Sequence, residues 1–566
     1  MAHPNAERGI SLAFIVLLGG CSAAEARTPA ERATVQHVLL LSVDGMHAND
    51  LTRWVESHPD SALARLSRNG VTFSDARSPT PSDSFPGLLA LVTGGTPRST
   101  GVYYDDSYDR TLFPPGSNCS GSPGTEVVYD DTVDLDSSTL FTGIDPKNLP
   151  LERDASGCRP VFPHAFVKVN TVFEVVKAAG RRSAWSDKHP AYDLVNGPSG
   201  KGVDELYTPE INSPIANGRT VQGIDLAGTL AKCDGTNSLP PRKVRVYNDC
   251  IPTQEAYDDV KVEAVLHWIR GEHADGSQWG PDGRPPAIFG TNFQAVSVAQ
   301  KLPVGGYVDA EGTPSANLVG AIAHTDASIG RMVAALERSG LLDSTLIVVT
   351  AKHGQSPIDR THLAMEGGRH APVQTVRDPL DFIHAVDPDV DEVAFTNPNN
   401  GHSFATKGHV QTDAMAIVWL QDQSPANVSQ VVAQLQANRK AMFADALPPD
   451  ASLSQSITSG DALATIFGEK SDALAAAREP DVLIQPNAGV IYSASSKKIA
   501  EHGSATLDDT RVALLVSSPR LHASSVTQRV NTTQVAPTIL QALGLDPRVL
   551  QSARAEGTRP LPGLWF

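Results

Sequence analysis

The stretch VLLLSVDGMHANDL, from Val38 to Leu51, decides the fold class of this chain. A continuous aliphatic run that ends at a turn signal is typical of a central parallel strand buried on both faces. Ligands gather at the carboxyl ends of such strands in open α/β sheets. Asp44, which Gly45 follows, therefore occupies a position where chemistry is expected. The alternative interpretation is that Asp44 only shapes a turn with Gly45.

The same pattern returns in LIVVTAKHGQSP, where a strand expected from Leu346 to Thr350 is followed by Lys352 and His353. An amphipathic helix is predicted just before it, from Leu318 to Ser339. Alternation of apolar strands with amphipathic helices predicts an α/β fold, with a mostly parallel central sheet covered by helices on both faces. His353 thus shares the strand-end position of Asp44.

Length and charge limit the classes of protein to consider. The 566 residues favour one large domain with a sizeable insertion, or two domains. The net charge of −17 argues against binding of nucleic-acid polymers, because an anionic surface repels the phosphate backbone. A small phosphate ester can still reach a pocket that is locally positive.

The N-terminal residues predict an export signal over residues 1–26, because Arg8 precedes a short apolar run and then small residues. Leu18-Gly19-Gly20-Cys21 resembles a bacterial lipobox, in which Cys21 would carry lipid and attach the protein to a membrane. Ala24-Glu25-Ala26 offers an ordinary cleavage site instead. We expect a periplasmic or outer-membrane-anchored lipoprotein, with secretion as the alternative.

Four cysteines remain after Cys21, and an even number in an exported chain predicts two disulfides. Proximity in sequence favours Cys119 with Cys158 and Cys233 with Cys250, although four cysteines allow three pairings.

The apolar periodicity weakens between residues 361 and 468, where Asn, Pro and Asp cluster. We interpret residues 361–468 as an inserted cap with its own helix from Asn427 to Leu447. The core sheet is expected to resume at DVLIQPNAGVIY, which begins at Asp481. The predicted hydrolase core comprises residues 34–360 and 469–548, and residues 549–566 form a C-terminal tail.

The segment SPTPSDSFPGLLALVTGG places Ser84 before Phe85-Pro86, at the start of a predicted helix. A hydroxyl at a helix N-terminus is well placed to attack phosphorus, because free backbone N–H groups and the helix dipole favour an anionic phosphoryl group there. The alternative is that Ser82 or Ser84 is a helix N-cap.

Taken together, Asp44, Ser84 before Phe-Pro, His353-Gly354 and His502-Gly503 resemble in order and spacing the alkaline phosphatase superfamily. The resemblance is to its type I phosphodiesterase and nucleotide pyrophosphatase branch. It implies an alkaline phosphatase-like fold in which Ser84 is the nucleophile and a ligand of the same metal as Asp44 and His353. It also implies that His502 binds a second metal, or contacts the phosphate directly. Zn²⁺ is the implied cofactor, with one ion expected and the second left open.

Four positions depart from the family pattern. Lys352 stands where the family has an aspartate ligand, and its ammonium can supply positive charge where an ion would otherwise lie. The segment FGTNFQAVSVAQ offers Asn292 and Gln294 in place of an Asp and a His. Gly87 replaces an asparagine that orients phosphate. Lys352 is therefore predicted to take part in the site with Ser84.

The expected function is that of an exported phosphoric ester hydrolase, a metal-dependent phosphodiesterase or nucleotide pyrophosphatase that forms a phosphoseryl intermediate. Its expected partner is a small phosphate ester or nucleotide. One alternative is a phosphomonoesterase or sulfatase-like esterase. The other is a metal-depleted, catalytically silent envelope-binding protein, an alternative that the missing ligands leave open. The oligomeric state is left open.

Overall fold

The structure is a computed structural model that describes residues 35–215, 219–367, 369–370, 372–444, 456–468 and 473–564. The predicted export signal and the lipid site at Cys21 lie outside the described residues. Within these ranges, no helix has the length and hydropathy that a membrane crossing requires.

An eight-stranded sheet forms the centre of the molecule. From one edge to the other its strands are Ser524–Val526, Gly70–Phe73, Leu514–Ser517, Thr345–Thr350, His37–Val43, Ile288–Phe293, Ala184–Ser186 and Glu205–Tyr207. Neighbouring strands are parallel except at Leu514–Ser517, which runs antiparallel to both of its neighbours. The prediction of a mostly parallel sheet is confirmed.

His37–Val43 is a central strand for the reason that its sequence suggests. Every residue from Val38 to Val43 is buried, and the strand pairs in parallel with Ile288–Phe293 on one side and Thr345–Thr350 on the other. A mainly apolar run suits burial on both faces of a sheet, and Ser42 is the one polar residue among these six.

Helices form two groups that pack on the sheet. In one, Ile251–Ile269 and Ala295–Lys301 pack against Ala316–Arg338; in the other, Ser84–Thr93 packs against Val172–Ala178 and Val535–Ala542. The predicted helix at 318–339 is thus confirmed within two residues, and the Ser315 side chain caps it. The other α-helices are Ala48–Ser57, Ala62–Arg68, Pro97–Thr100, Pro163–Phe166, Leu380–Ile383, Pro425–Ala437, Arg439–Phe443, Ala464–Phe467, Ala473–Arg478, Leu507–Thr510 and Gln551–Glu556.

The inserted region has its own core and its own sheet. This insert sheet is antiparallel, in the order His409–Thr412, Ala416–Trp419, Val482–Gln485 and Ser456–Ser459. The expectation that DVLIQPNAGVIY returns the chain to the core sheet is therefore wrong. Val482–Gln485 lies in the insert sheet, and the chain rejoins the central sheet only at Leu514. An apolar run predicts a strand but does not identify its partner.

The predicted helix from Asn427 to Leu447 is shorter and broken. Pro425–Ala437 ends at Asn438, Arg439–Phe443 follows, and residues 445–447 lie outside the described residues.

Short strands complete the structure. Ala364–Glu366 pairs with Gln374–Val376 and Val490–Ile491, and Ala76–Arg77 pairs with Arg511–Val512 and Val530–Asn531. Two-stranded units are Asp106–Asp109 with Thr125–Val128, Leu151–Asp154 with Gly157–Pro160, Thr220–Val221 with Ile224–Asp225, and Val393–Thr396 with Ser403–Ala405.

The cysteines form the two disulfides favoured by sequence proximity, Cys119–Cys158 and Cys233–Cys250. This prediction is confirmed.

Candidate active site

Four parallel strands of the central sheet end at the same edge, and each brings polar side chains to it. Because carboxyl ends of parallel strands share an edge, residues that are distant in sequence meet there. The side chains delivered in this way are Asp44, Asp187, Lys188, Asn292, Gln294, Lys352 and His353.

Asp44 is buried and held by several donors. Its Oδ2 accepts hydrogen bonds from Gln294 Nε2 at 2.6 Å and Asn292 Nδ2 at 3.1 Å, and Lys352 Nζ lies 3.4 Å away. Burial alone would raise the pKa of Asp44, but Lys352, His353 and Lys188 hold it well below its usual range. Asp44 is therefore expected to be ionised near neutral pH. Among the described residues, its Oδ1 has no hydrogen-bond partner.

Ser84 is the first residue of the helix Ser84–Thr93, and it is buried at that end. The interpretation of Ser82 or Ser84 as the N-cap is wrong, because Asp83 holds that position and accepts a hydrogen bond from Phe85 N. Ser84 Oγ instead contacts Lys188 Nζ at 3.2 Å and His353 Nε2 at 3.4 Å. Its hydroxyl is thus available for contacts outside its own helix.

His353 presents one ring nitrogen to Ser84. Its Nδ1 lies 2.7 Å from the Gly354 carbonyl oxygen, which can only accept, so Nδ1 carries a proton. Burial lowers the pKa of His353 and outweighs the Asp44 charge, which would raise it. The neutral ring therefore directs the Nε2 lone pair toward Ser84 Oγ.

His502 reaches the site from the segment that follows the insert sheet. Its ring centroid lies 3.9 Å from that of His353, and its Nδ1 lies 3.3 Å from Asp83 Oδ1. That pair lacks hydrogen-bond geometry, and neither atom has a hydrogen-bond partner in the part of the chain that the structure describes. Burial, followed by the nearby His353 and Lys301, lowers the pKa of His502 well below its usual value.

Lys352 lies beneath the site, fully buried. Its ammonium is 3.4 Å from Asp44 Oδ2, 3.3 Å from Asp187 Oδ1 and 3.1 Å from the Tyr192 hydroxyl. The side chain therefore does not reach solvent. The Lys352 ammonium neutralises the negative charge of Asp44 and Asp187. Among the described residues, no contact joins it to Ser84.

The departure at Gly87 has a steric cause. A Cβ atom at Gly87 would lie 2.2 Å from the Lys352 carbonyl oxygen and 2.7 Å from its carbonyl carbon. Only glycine lets the Ser84 helix approach the strand end this closely.

Four lysines line a pocket beside Asp44, His353 and His502, whose volume is about 290 Å³. Lys188, Lys301, Lys497 and Lys498 line it together with Asp44, His353 and His502. Sequence reasoning missed these four lysines. Only Lys188 carries a sequence signal, since it follows the very short strand Ala184–Ser186.

The donor atoms at this edge suit one metal ion better than two. Asp44 Oδ1, Ser84 Oγ and His353 Nε2 are three donors of the types that zinc accepts, and the first is without a partner among the described residues. Among the described residues, the Asp83 carboxylate and the His353 ring lie beside His502. Across the described ranges, the one group of three His, Cys, Asp or Glu ligand atoms within 4.8 Å of one another lies elsewhere, at Asp106, Glu126 and His409.

The sequence matches a family model described as type I phosphodiesterase / nucleotide pyrophosphatase over residues 38–506. No curated protein matches the chain.

Solved structures share the fold. Murine ectonucleotide pyrophosphatase/phosphodiesterase 5 is 13% identical, with a TM-score of 0.50, over 90% of this chain and 96% of that one. The alkaline phosphatase PafA is also 13% identical, with a TM-score of 0.55, over 91% of this chain and 96% of its own. The alkaline phosphatase-like fold expected from the sequence is thus confirmed.

Proposed function

We propose a specific reaction for this chain, which belongs to the type I phosphodiesterase and nucleotide pyrophosphatase family of phosphoric ester hydrolases. The chain hydrolyses small phosphodiesters or nucleotide pyrophosphates through a phosphoseryl intermediate at Ser84. One observation carries the proposal. Ser84 Oγ lies between a cation, Lys188 Nζ, and a lone pair, His353 Nε2.

That arrangement polarises the hydroxyl in the direction that attack requires. Lys188 can only donate, so Ser84 Oγ accepts from it and is left to donate its own proton toward His353. In the proposed reaction, Oγ attacks phosphorus, the bond to the leaving oxygen breaks, and water then hydrolyses the phosphoseryl group. The positive charge of Lys188 stabilises the anionic oxygen in both steps.

The pocket favours a polyanionic substrate. Lys188, Lys301, Lys497 and Lys498 converge on its 290 Å³ volume, which suits a phosphate ester with a second charged group. The murine neighbour has also been solved in complex with AMP. A small nucleotide is therefore the substrate class that we propose.

A single Zn²⁺ would be held by Asp44, Ser84 and His353, and it would use the His353 Nε2 lone pair, so His353 would then act as a ligand and not as the acceptor of the Ser84 proton. When bound, such an ion would lower the pKa of the coordinated hydroxyl. His502 is proposed as a phosphate contact, since it has too few neighbouring ligands for a second ion.

A silent, metal-depleted binding protein is the second candidate, because Asp44 Oδ2 is already occupied by two amides and Lys352. On that hypothesis nucleotide binds but is not cleaved.

We also propose that the protein is exported, with lipid on Cys21. The two disulfides support an oxidising compartment. Mass spectrometry of the mature N-terminus tests the lipid.

The decisive experiment compares Ser84→Ala with Ser82→Ala. Both serines are buried, but Ser82 Oγ donates to the Asp509 carbonyl and does not face Lys188. We expect Ser84→Ala to lower turnover of bis(p-nitrophenyl) phosphate on the order of 10³-fold or more. Its free energy of unfolding should change by about 1 kcal/mol, the worth of one hydrogen bond.

Ser82→Ala should keep its turnover. Acid quenching of the parent enzyme should trap phosphate on the peptide that contains Ser84. A parent that binds AMP without cleaving any diester would establish the silent alternative, and faster cleavage of p-nitrophenyl phosphate or sulfate would favour a monoesterase or sulfatase.

A further inference from the structure

A second cluster of ligand-type side chains lies where the insertion meets the core. Asp106 and Glu126 belong to the hairpin of Asp106–Asp109 and Thr125–Val128, in which Asp106 pairs with Val128 and Tyr108 with Glu126. Asp106 and Glu126 are thus diagonal neighbours on the same face of the hairpin, since Glu126 lies opposite Tyr108, two residues along the strand from Asp106. His409, the first residue of the insert sheet, packs onto that face.

The ligand atoms of these three residues converge. One atom from each lies within 4.8 Å of the others, and His409 Nε2 is 3.2 Å from Asp106 Oδ1. His409 is 5% exposed. Neither Nε2 nor Oδ1 has a hydrogen-bond partner among the described residues, although both are buried. The two atoms form a close ion-pair contact without hydrogen-bond geometry, so the hydrogen-bonding capacity of each stays unmet among the described residues.

Asp391 fixes the orientation of the imidazole. Its Oδ1 lies 2.8 Å from His409 Nδ1, and a carboxylate can only accept, so Nδ1 carries the proton. The His409 ring also stacks on Trp419, with ring centroids 5.9 Å apart. A carboxylate behind one ring nitrogen, with the second ring nitrogen directed at other ligand atoms, is the usual arrangement around a metal-binding histidine.

We propose that Asp106, Glu126 and His409 bind a divalent transition-metal ion of the zinc type, separate from any ion at Ser84. The carboxylates of Asp106, Glu126 and Asp391 surround one imidazole, and this acidic environment favours a bound cation. One nitrogen and two carboxylate oxygens suit Zn²⁺ or Mn²⁺, whereas Ca²⁺ requires six to eight oxygen ligands.

The ion fastens the insertion to the core hairpin. The strand that begins at His409 leads to Asp413, which accepts a hydrogen bond from the Tyr104 hydroxyl at 2.8 Å. The next residue, Ala414, donates its N–H to the His502 carbonyl at 3.1 Å. The metal site and the Tyr104 bond thus hold both ends of the strand that supports His502.

The test uses the full-length protein after treatment with chelator and desalting. Zn²⁺ is added, unbound metal is removed, and bound zinc is counted by elemental analysis alongside the melting temperature. Glu126→Gln and Asp106→Asn should each bind one equivalent less than the parent and lose part of its zinc-dependent rise in melting temperature. Ca²⁺ should produce no such rise.

Two further variants separate this site from the others. His324→Gln removes a histidine that pairs with Asp259 on the helical surface and should bind as much zinc as the parent. His353→Gln should lose only a zinc ion bound near Ser84. It should keep the zinc ion bound by Asp106, Glu126 and His409, which Glu126→Gln loses. The proposal is overturned when Glu126→Gln and Asp106→Asn, both folded by circular dichroism, bind as much zinc as the parent. The proposal is also overturned when His353→Gln binds no zinc at all, because all the zinc of the parent would then belong to the site at Ser84.

Discussion

Lys352 gives the site its most unusual charge balance. A buried carboxylate without a partner is very unfavourable, and the Lys352 ammonium serves two of them, Asp44 and Asp187. It therefore stabilises the fold and, through Asp44, determines how much negative charge remains to attract a metal.

Replacing Lys352 separates these roles. Lys352→Met should lower the free energy of unfolding by about 3–5 kcal/mol, because it leaves buried carboxylates uncompensated. Lys352→Asp adds a third carboxylate, so its stability should depend strongly on zinc. At a zinc concentration 100 times its dissociation constant, the gain would be about 2.7 kcal/mol. Urea unfolding with and without zinc measures both.

Lys261→Met is the matched control. Lys261 is equally buried, and its ammonium pairs with Asp258 at 3.1 Å and donates to the Asn292 carbonyl oxygen, but no contact with Asp44 is found among the described residues. The Lys261→Met variant should be less stable than the parent, and zinc should raise its free energy of unfolding by as much as it raises that of the parent. A zinc response of Lys352→Asp equal to that of the parent would contradict the assignment of Lys352 to the metal-binding region.

At the level of elements, Glu501 joins the segment that carries His502 to the rest of the pocket. Its backbone forms two hydrogen bonds with Ser356, and its side chain pairs with Lys301 at 3.0 Å and with Lys498. Burial alone would raise the pKa of Glu501, but the two lysines lower it to about 2.

This low pKa predicts that the protein loses stability as the pH falls into the acid range. The folded value lies below the ordinary value of 4.5, so the stabilisation is fully present above pH 4.5 and is lost as the pH falls toward about 2. The contribution is about 3 kcal/mol near neutrality. Glu501→Gln should be less stable than the parent by that order at pH 7, with a gap that narrows by pH 3.

Urea unfolding at pH 7, 4 and 3 measures this gap. Glu392→Gln serves as the control, since Glu392 forms an exposed pair with Lys407 that is worth about 0–1 kcal/mol. A gap for Glu501→Gln that stays constant from pH 7 to pH 3 would refute the assignment.

For the whole molecule, the sequence predicted what depends on local pattern. Val38–Val43 identified the central strand because burial on both faces demands continuous apolar residues, and Asp44 and His353 followed from the strand ends. Lys188 escaped notice because a three-residue strand carries no periodicity. Lys301 and Lys498 enter the pocket from a helix end and a distant loop, and only tertiary packing brings them together.

The disulfides allow a prediction that links stability to the pocket. In the chain-entropy model, a disulfide stabilises the fold by restricting the unfolded chain. The Cys233–Cys250 bond, which spans 17 residues, should raise the free energy of unfolding by about 3 kcal/mol, and the Cys119–Cys158 bond, which spans 39, by about 4 kcal/mol. Asp249, next to Cys250, pairs at 2.7 Å with Lys497 in the pocket.

Cys233→Ser with Cys250→Ser should therefore lower the melting temperature and also raise the KM for a chromogenic phosphodiester, because the turn that holds Lys497 is released. Cys119→Ser with Cys158→Ser should lower stability by a similar or larger amount and leave KM unchanged, since neither cysteine lines the pocket. Each double variant is thus the control for the other. Calorimetry and steady-state kinetics on both decide the matter. An equal rise in KM in the two variants would mean that general loosening, rather than the position of Lys497, controls substrate affinity.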